Sequence, residues 1–198
     1  FWIATALISF PMITVLLTLH TAQRLQEEIH AQARRDTLTD AYNRRAFTEF
    51  ADKEWSRSKR HGSSFSILSV DIDHFKLFND QYGHQTGDAA LVAVSRSAQA
   101  ALRANDIWCR YGGEEFVALL PDTSMDRALA VAERLRLAVE RTTSSSPRGS
   151  LNVSVSIGVA ERSPHHADLS EVLAISDAAL YKAKAAGRNR VVAAGREE

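Results

Sequence analysis

Arg110-Tyr111-Gly112-Gly113-Glu114-Glu115-Phe116 lies between two apolar runs, 106–109 and 116–120, each of strand length. Two strands joined by a Gly-Gly pair predict a tight hairpin, because both glycines can take the positive φ that a primed turn requires. The two glutamates then open the outgoing strand beside two residues without side chains. Such a turn lets a large ligand lie against bare backbone while carboxylates reach it from the side. A solvated hairpin tip with two solubilising glutamates accounts for the same residues, and the stretch alone leaves both readings open.

Upstream, 65–73 reads as a central strand ending in carboxylates. Alternation puts Ile67, Ser69, Asp71 and Asp73 on one face and Leu68, Val70 and Ile72 on the other. Before it, Thr39 or Asp40 is expected to cap a helix running to about His61, with Ala46, Phe47, Phe50 and Trp55 inward. After it come a short helix over 74–80, a loop over 81–88, and a helix from Asp88 to about Arg103. Downstream, Ser124 is expected to cap a helix to about Arg141, and 142–150 reads as a polar connection. A strand over 151–160, a surface loop containing His165 and His166, a helix over 168–186 and a closing strand from Arg190 complete the pattern. Strands and helices mix without strict alternation. The expected class is α+β, one antiparallel or mixed sheet flanked by helices, forming a single domain over 37–195.

The chain has 198 residues, 24 basic and 24 acidic, so no net charge draws it to nucleic acid. One cysteine, Cys109, excludes an internal disulfide framework. No P-loop, His-Glu-x-x-His or Cys-x-x-Cys occurs. Residues 1–19 are uncharged and mostly apolar, close to the roughly 20 residues that cross a bilayer core. A transmembrane helix is expected there, with Arg24, Arg34 and Arg35 marking the cytoplasmic side. Ala22, Leu25 and Ile29 give 20–36 a weak heptad seam, expected to be a helical linker.

Asp71 ends one strand and Glu114 opens another. If these strands are neighbours, their carboxylates meet at one end of the sheet, an oxygen set suited to magnesium. Lys76 follows at a helix start, where free N–H groups attract anions. Lys184 and Arg188 add positive charge. Carboxylates, a hard cation and basic donors point to phosphoryl or nucleotidyl transfer. Asp88 could accept from guanine N1–H and its amino group, and the Asn79 amide could meet the O6/N7 edge. By spacing alone, helix caps explain Asn79 and Asp88 better, and the helix dipole explains Lys184 and Arg188.

The ordered set of segments resembles the GGDEF-domain diguanylate cyclases, here with Gly-Gly-Glu-Glu-Phe. The set begins with Asp36-x-Leu38-Thr39-x-x-x-Asn43-Arg44-Arg45 and Asp71-Ile-Asp-His-Phe-Lys-x-x-Asn-Asp80. Tyr82-Gly-His-x-x-Gly-Asp88 and Arg110–Phe116 follow. Ser156-Ile-Gly158 and Ala179-Leu-Tyr-x-Ala-Lys-x-x-Gly-Arg-Asn189 close it. The resemblance implies a fold like the nucleotidyl cyclases and polymerase palms, and the condensation of two GTP into cyclic di-GMP and two pyrophosphates. It implies two Mg2+ per site, with Mn2+ as a substitute, held by Asp71, Glu114, Glu115 and the Ile72 carbonyl. Glu114 is the implied acceptor of the ribose 3′-hydroxyl proton. Lys76 and Glu115 assist, Asn79, Asp88 and His84 surround the guanine, and Phe75, Lys76, Lys184 and Arg188 complete the substrate site.

One such domain binds one GTP, so two must face each other as a homodimer, which a membrane helix and linker would favour. Arg103-x-x-Asp106, with Arg134, has the spacing of the family's product-inhibition site for cyclic di-GMP. With the apolar run 1–19 and the arginines after it, the protein is expected at the cytoplasmic membrane of a bacterium, with the catalytic domain in the cytoplasm. A catalytically silent module that binds GTP or cyclic di-GMP is the alternative. An adenine-using cyclase is opposed by Asn79 and Asp88.

Overall fold

A computed structural model describes residues 34–146 and 149–195. The elements in order are β1 (Tyr42–Asn43), α1 (Arg44–His61), β2 (Phe65–Ile72), α2 (Phe75–Tyr82), α3 (His84–Ala101), β3 (Ile107–Gly112) and β4 (Glu115–Pro121). They continue with α4 (Met125–Glu140), β5 (Thr143–Ser146), β6 (Gly149–Asn152), β7 (Val155–Glu161), α5 (Leu169–Ala185) and β8 (Val191–Ala193). This fold belongs to a compact unit that begins at Arg35. The apolar run 1–19 and linker residues 20–33 lie outside the described residues. Among the described residues no helix is long and apolar enough to cross a membrane.

Six strands form one mixed sheet in the order β1-β3-β4-β2-β7-β8, antiparallel in the middle and parallel at both edges. β2 sits between β4 and β7, and all eight of its residues are buried. The expected alternation holds. Leu68, Val70 and Ile72 join the core beneath α2, α3 and α4, with Leu91, Val94, Val131 and Leu135. Phe65 and Ile67 join a second core with Phe47, Ala51 and Val172 of α1 and α5. Phe47, Phe65 and Phe116 are fully buried, and each contributes about 1.5–3 kcal/mol through lost hydration. The expected α+β class, with helices on both faces of a mixed sheet, is what the chain forms.

Several local expectations are corrected. The first long helix is capped by Asn43, whose side chain accepts from Ala46 N–H at 3.0 Å, and not by Thr39 or Asp40. Thr39 instead donates to Asp36, through N–H at 2.9 Å and hydroxyl at 2.6 Å, in the turn before β1. Ser124 flanks α4 without a side-chain cap, and Glu161 accepts from Met125 N–H at 2.7 Å in its place. The polar connection after α4 contains a two-stranded hairpin, β5–β6. α3 begins at His84, four residues before Asp88.

Cys109 is buried, and burial pushes its thiol up to about 12, so it behaves as a small apolar strand residue. At Gly158 of β7 the backbone of α5 comes close to the sheet. A Cβ there would lie 2.1 Å from the Ser176 carbonyl oxygen and 2.2 Å from Leu180 N, both backbone atoms that cannot step aside. Gly158→Ala is therefore expected to destabilise the domain by about 3 kcal/mol or more, measured by urea unfolding. A loss below about 0.5 kcal/mol would contradict this packing.

Candidate active site

The central strands converge chemically at one end of the sheet. Asp71, 7% exposed, is the Cα partner of Glu115 on β4, so both side chains stand on one face. The hairpin differs from expectation by one residue. Gly112 pairs with Glu115, leaving Gly113-Glu114 as the two-residue loop, and the ladder shifts register between Arg110 and Gly112. Only Gly113 has positive φ (+50°). The bulge frees Tyr111 to pack edge-on against Phe47 at 5.9 Å, with the Arg44 guanidinium 4.6 Å above its ring. Glu114 therefore sits in the turn, half-buried, and only Glu115 opens the strand. The Glu114 carbonyl accepts from Ile72 N–H at 3.4 Å, tying the turn to the end of β2.

Arg110 fixes the turn from behind. Its Nε donates to the Gly113 carbonyl at 2.9 Å and its Nη1 lies 3.2 Å from Asp36 Oδ1. Burial pushes the Asp36 carboxyl up, but hydrogen bonds from Thr39 and Arg110 outweigh it and hold the group below its usual range.

Lys184, in the last turn of α5, places Nζ 2.8 Å from Asp71 Oδ2. Desolvation raises the Asp71 pKa, Lys184 opposes that rise, and Glu114 and Glu115 add to it by repulsion. Beside this pair a cavity of about 280 Å³ is lined by Ser69, Tyr111, Glu115, Asp177, Tyr181 and Lys184. Among the described residues no three or more His, Cys, Asp or Glu side chains are drawn together tightly enough to hold a metal ion. The donors still suit a hard cation: Asp71, Glu114 and Glu115 offer carboxylate oxygens, the two glutamates repel charge on Asp71, and a buried carboxyl held above its usual range gains from positive charge. The Ile72 side chain is in the core, so only its backbone could contribute.

The cap explanations for Asn79 and Asp88 do not hold. Asn79 lies within α2, and its Oδ1 is buried with no hydrogen-bond partner. Asp88 is the fifth residue of α3, with its side chain exposed, as is that of His84. Lys76 is exposed in the first turn of α2, a helix without a side-chain N-cap bond. The Phe75 ring is 8% exposed and stacks near-parallel on Phe78 at 6.3 Å, so it supports this corner from within the core. Arg188 is not on the last helix. α5 ends at Ala185, and Arg188 takes φ +63° in the following turn, so the helix dipole does not explain it.

Arg103 and Asp106 sit at the opposite end of β3 from the Gly-Gly turn and are not joined by a side-chain ion pair. Asp106 Oδ2 accepts from the Arg103 backbone N–H at 2.9 Å. Both line a cavity of about 180 Å³ with Arg35, Tyr42, Gln99 and Trp108. Arg134 is outside that lining; its Nε donates to the Ala101 carbonyl at 2.9 Å, at the end of α3.

Sequence reading missed the part played by Asp73. Its oxygens accept from Ser154 Oγ and Ser156 Oγ, both at 2.6 Å, and from Asn189 N–H at 3.0 Å. The alternating Ser154 and Ser156, facing an acid at the end of the neighbouring strand, were the available signal.

Residues 33–190 match the family model for "Diguanylate cyclase, GGDEF domain". The chain is 38% identical over 183 residues to Diguanylate cyclase DgcM of Escherichia coli K12, covering 92% of this chain and 44% of that protein. It thus spans about half or less of the length of the curated relatives it matches. The GGDEF domain of DgcB from Caulobacter crescentus, solved with c-di-GMP, superposes with TM-score 0.79 at 34% identity, covering 83% of this chain and 98% of that one. The active GGEEF domain of a diguanylate cyclase from Vibrio cholerae superposes with TM-score 0.74 at 32% identity, covering 78% and 98%. With the family model matching along nearly the whole of the described fold, and Asp71, Glu115 and the two-glycine turn brought to one end of its sheet, the chain belongs to the GGDEF-domain family of diguanylate cyclases.

Proposed function

We propose that this domain condenses two GTP into cyclic di-GMP and two pyrophosphates, working as one half of a homodimer. The observation that carries the proposal is the register of Asp71 against Glu115, with Glu114 in a glycine turn beside them and Lys184 on Asp71. A solved GGEEF domain described as active supports retention of chemistry by the same turn sequence.

Asp71, Glu115, Glu114 and the Ile72 carbonyl are the residues that would hold Mg2+ or Mn2+. When bound, such cations supply Lewis acidity and neutralise phosphate charge. The chain's own part is binding and orientation. The Asn79 side-chain Nδ2 donates to the O6/N7 edge of guanine, Asp88 accepts from its N1–H and amino group, and His84 lies in the same turn of α3. Lys76 and Arg188 offer cationic donors to the triphosphate. Glu114, half-buried and at the turn, receives the 3′-hydroxyl proton. The bare backbone of Gly112 and Gly113 leaves room for the nucleotide at that point. Each 3′-oxygen attacks the α-phosphate held by the opposite protomer, so two domains must meet face to face. We infer that the apolar run 1–19 anchors the protein in the cytoplasmic membrane and that the linker favours this pairing. The support is the uncharged stretch followed by arginines.

Incubation with GTP and Mg2+ followed by chromatography of the nucleotides tests the activity. The expected product is the cyclic dinucleotide, and Glu114→Gln is expected to lower its rate at least about a hundredfold. A variant at full rate, or wild-type protein that consumes no GTP, sinks the assignment.

Gly87 offers a sharper test of guanine recognition. A Cβ there would stand 1.8 Å from Asn79 Oδ1 and 3.3 Å from Phe75 Cζ. The first contact is relieved by swinging the Asn79 side chain away. Gly87→Ala should therefore raise KM for GTP about tenfold with the melting temperature nearly unchanged. In an Asn79→Ala background the same change should add little, and multiplicative losses would show that Gly87 does not act through Asn79.

We also propose that Arg103, Asp106 and Arg134 bind cyclic di-GMP as an inhibitory site, with the cavity at Arg103 and Asp106 in support. Arg103→Ala is expected to abolish inhibition by added product and to leave the initial rate unchanged. Persistent inhibition would remove the assignment.

A further inference from the structure

Three consecutive residues between α5 and β8 have left-handed backbone: Gly187 at φ +111°, Arg188 at +63° and Asn189 at +46°. Only the first is a glycine. Non-glycine residues adopt this conformation at a cost and keep it where surrounding contacts over-determine it. The contacts at this turn are unusually complete. Arg188 N–H donates to the Ala183 carbonyl at 3.0 Å, and Asn189 N–H to Asp73 Oδ2 at 3.0 Å. The Asn189 side chain is gripped from α4 on both its polar atoms. Arg136 Nη1 donates to Asn189 Oδ1 at 2.7 Å, and Asn189 Nδ2 donates to Glu140 Oε1 at 2.7 Å.

Arg136 is itself held. It reaches Glu140 Oε2 at 3.1 Å and Glu133 Oε1 at 2.7 Å, and its side chain is only 11% exposed. The hydrogen bond from Asn189, with that from Arg136, keeps the Glu140 carboxyl below its usual range. Asp73 carries the same scaffold to β7 through Ser154 and Ser156. It also stands two residues from Asp71, and its neighbour His74 has φ +56°. One carboxylate thus joins the end of β2 to the turn that bears Arg188.

We propose that Arg136, Glu140 and Asn189, with Asp73, are positioning residues that fix the backbone of Arg188 so that its guanidinium meets the GTP phosphates. The inference rests on the cyclase reading above and extends it to four residues outside the set Asp71, Glu114 and Glu115. The clamp acts through Arg188 alone, so its loss is masked when the Arg188 side chain is already gone. A purely structural role has no such dependence.

The experiment is a double-mutant cycle on binding of a ribose-labelled fluorescent GTP analogue, with KM for GTP measured in parallel. Arg136→Ala removes one jaw of the clamp. Asn189→Gly removes both while keeping the positive φ easy and leaving the backbone N–H for Asp73. Each is expected to weaken analogue binding about five- to tenfold, with kcat changed less than KM and the melting temperature within about 3 °C of wild type. In an Arg188→Ala background, adding Arg136→Ala should weaken binding less than about twofold further. Unchanged binding in the single variants, or losses that multiply in the double variant, would overturn the positioning role while leaving the cyclase reading intact. Wild-type protein that binds no GTP analogue would overturn both.

Discussion

The carboxyl of Asp71 is the constraint around which the active end is arranged. It terminates a strand with neighbours on both sides and helices over both faces, so it has lost most of its water. Desolvation is the largest influence on it and favours the protonated form, and two nearby glutamates push the same way. One ammonium group, Lys184 at 2.8 Å, supplies the opposing pull. With its pKa raised, the folded state keeps this proton to higher pH than the unfolded chain does. Its contribution to stability therefore falls as pH rises from the ordinary carboxylate value through the raised one. A site that accumulates negative charge at the end of a dry strand favours cations, from a side chain or from solution.

The topology decides what shares that end with Asp71. β4 and β7 both run antiparallel to β2, so where β2 finishes, they begin. β8 runs parallel to β7 and begins there too. The Gly113-Glu114 turn, Ser154 and Ser156, and the Arg188-Asn189 turn are thereby delivered to one place from positions up to about a hundred residues apart. Five of the ten described residues with positive φ lie there: His74, Gly113 and residues 187–189. Arg110 holds the Gly113 carbonyl and Asp73 holds the Asn189 N–H.

Much of this was legible in the chain itself. The period-two alternation of 65–73 placed Leu68, Val70 and Ile72 opposite Ile67, Ser69 and Asp71, and the two cores divide along that line. Helical spacing put Phe47, Phe50 and Trp55 of α1 inward, and Phe47 joins the second core with Phe50 and Trp55 packed against it. Local chemistry misled where several polar residues competed for one role. Thr39, Asp40 and Asn43 are all good caps, and which one caps depends on Asp36, which takes Thr39 because Arg110 holds it from 74 residues away. The Gly-Gly pair read as the turn itself, yet the bulge at Tyr111 moves the loop one residue on. That bulge accompanies the packing of Tyr111 on Phe47 and Arg44, contacts beyond the hairpin.

The sequence by itself determined which residues have chemistry to offer: acids at strand ends, glycines where a side chain would obstruct, lysine and arginine at the end of the last helix. Those are properties of single residues and of short periodic runs, and they survive without knowledge of neighbours. Tertiary structure alone decided their partners. Lys184 neutralises Asp71, Asn79 is left with an unpaired buried oxygen against Gly87, and Arg188 leaves the helix for a clamped turn. The physical reason is that charge compensation and close approach depend on distances set by strand register and helix packing, which residues remote in the chain fix together.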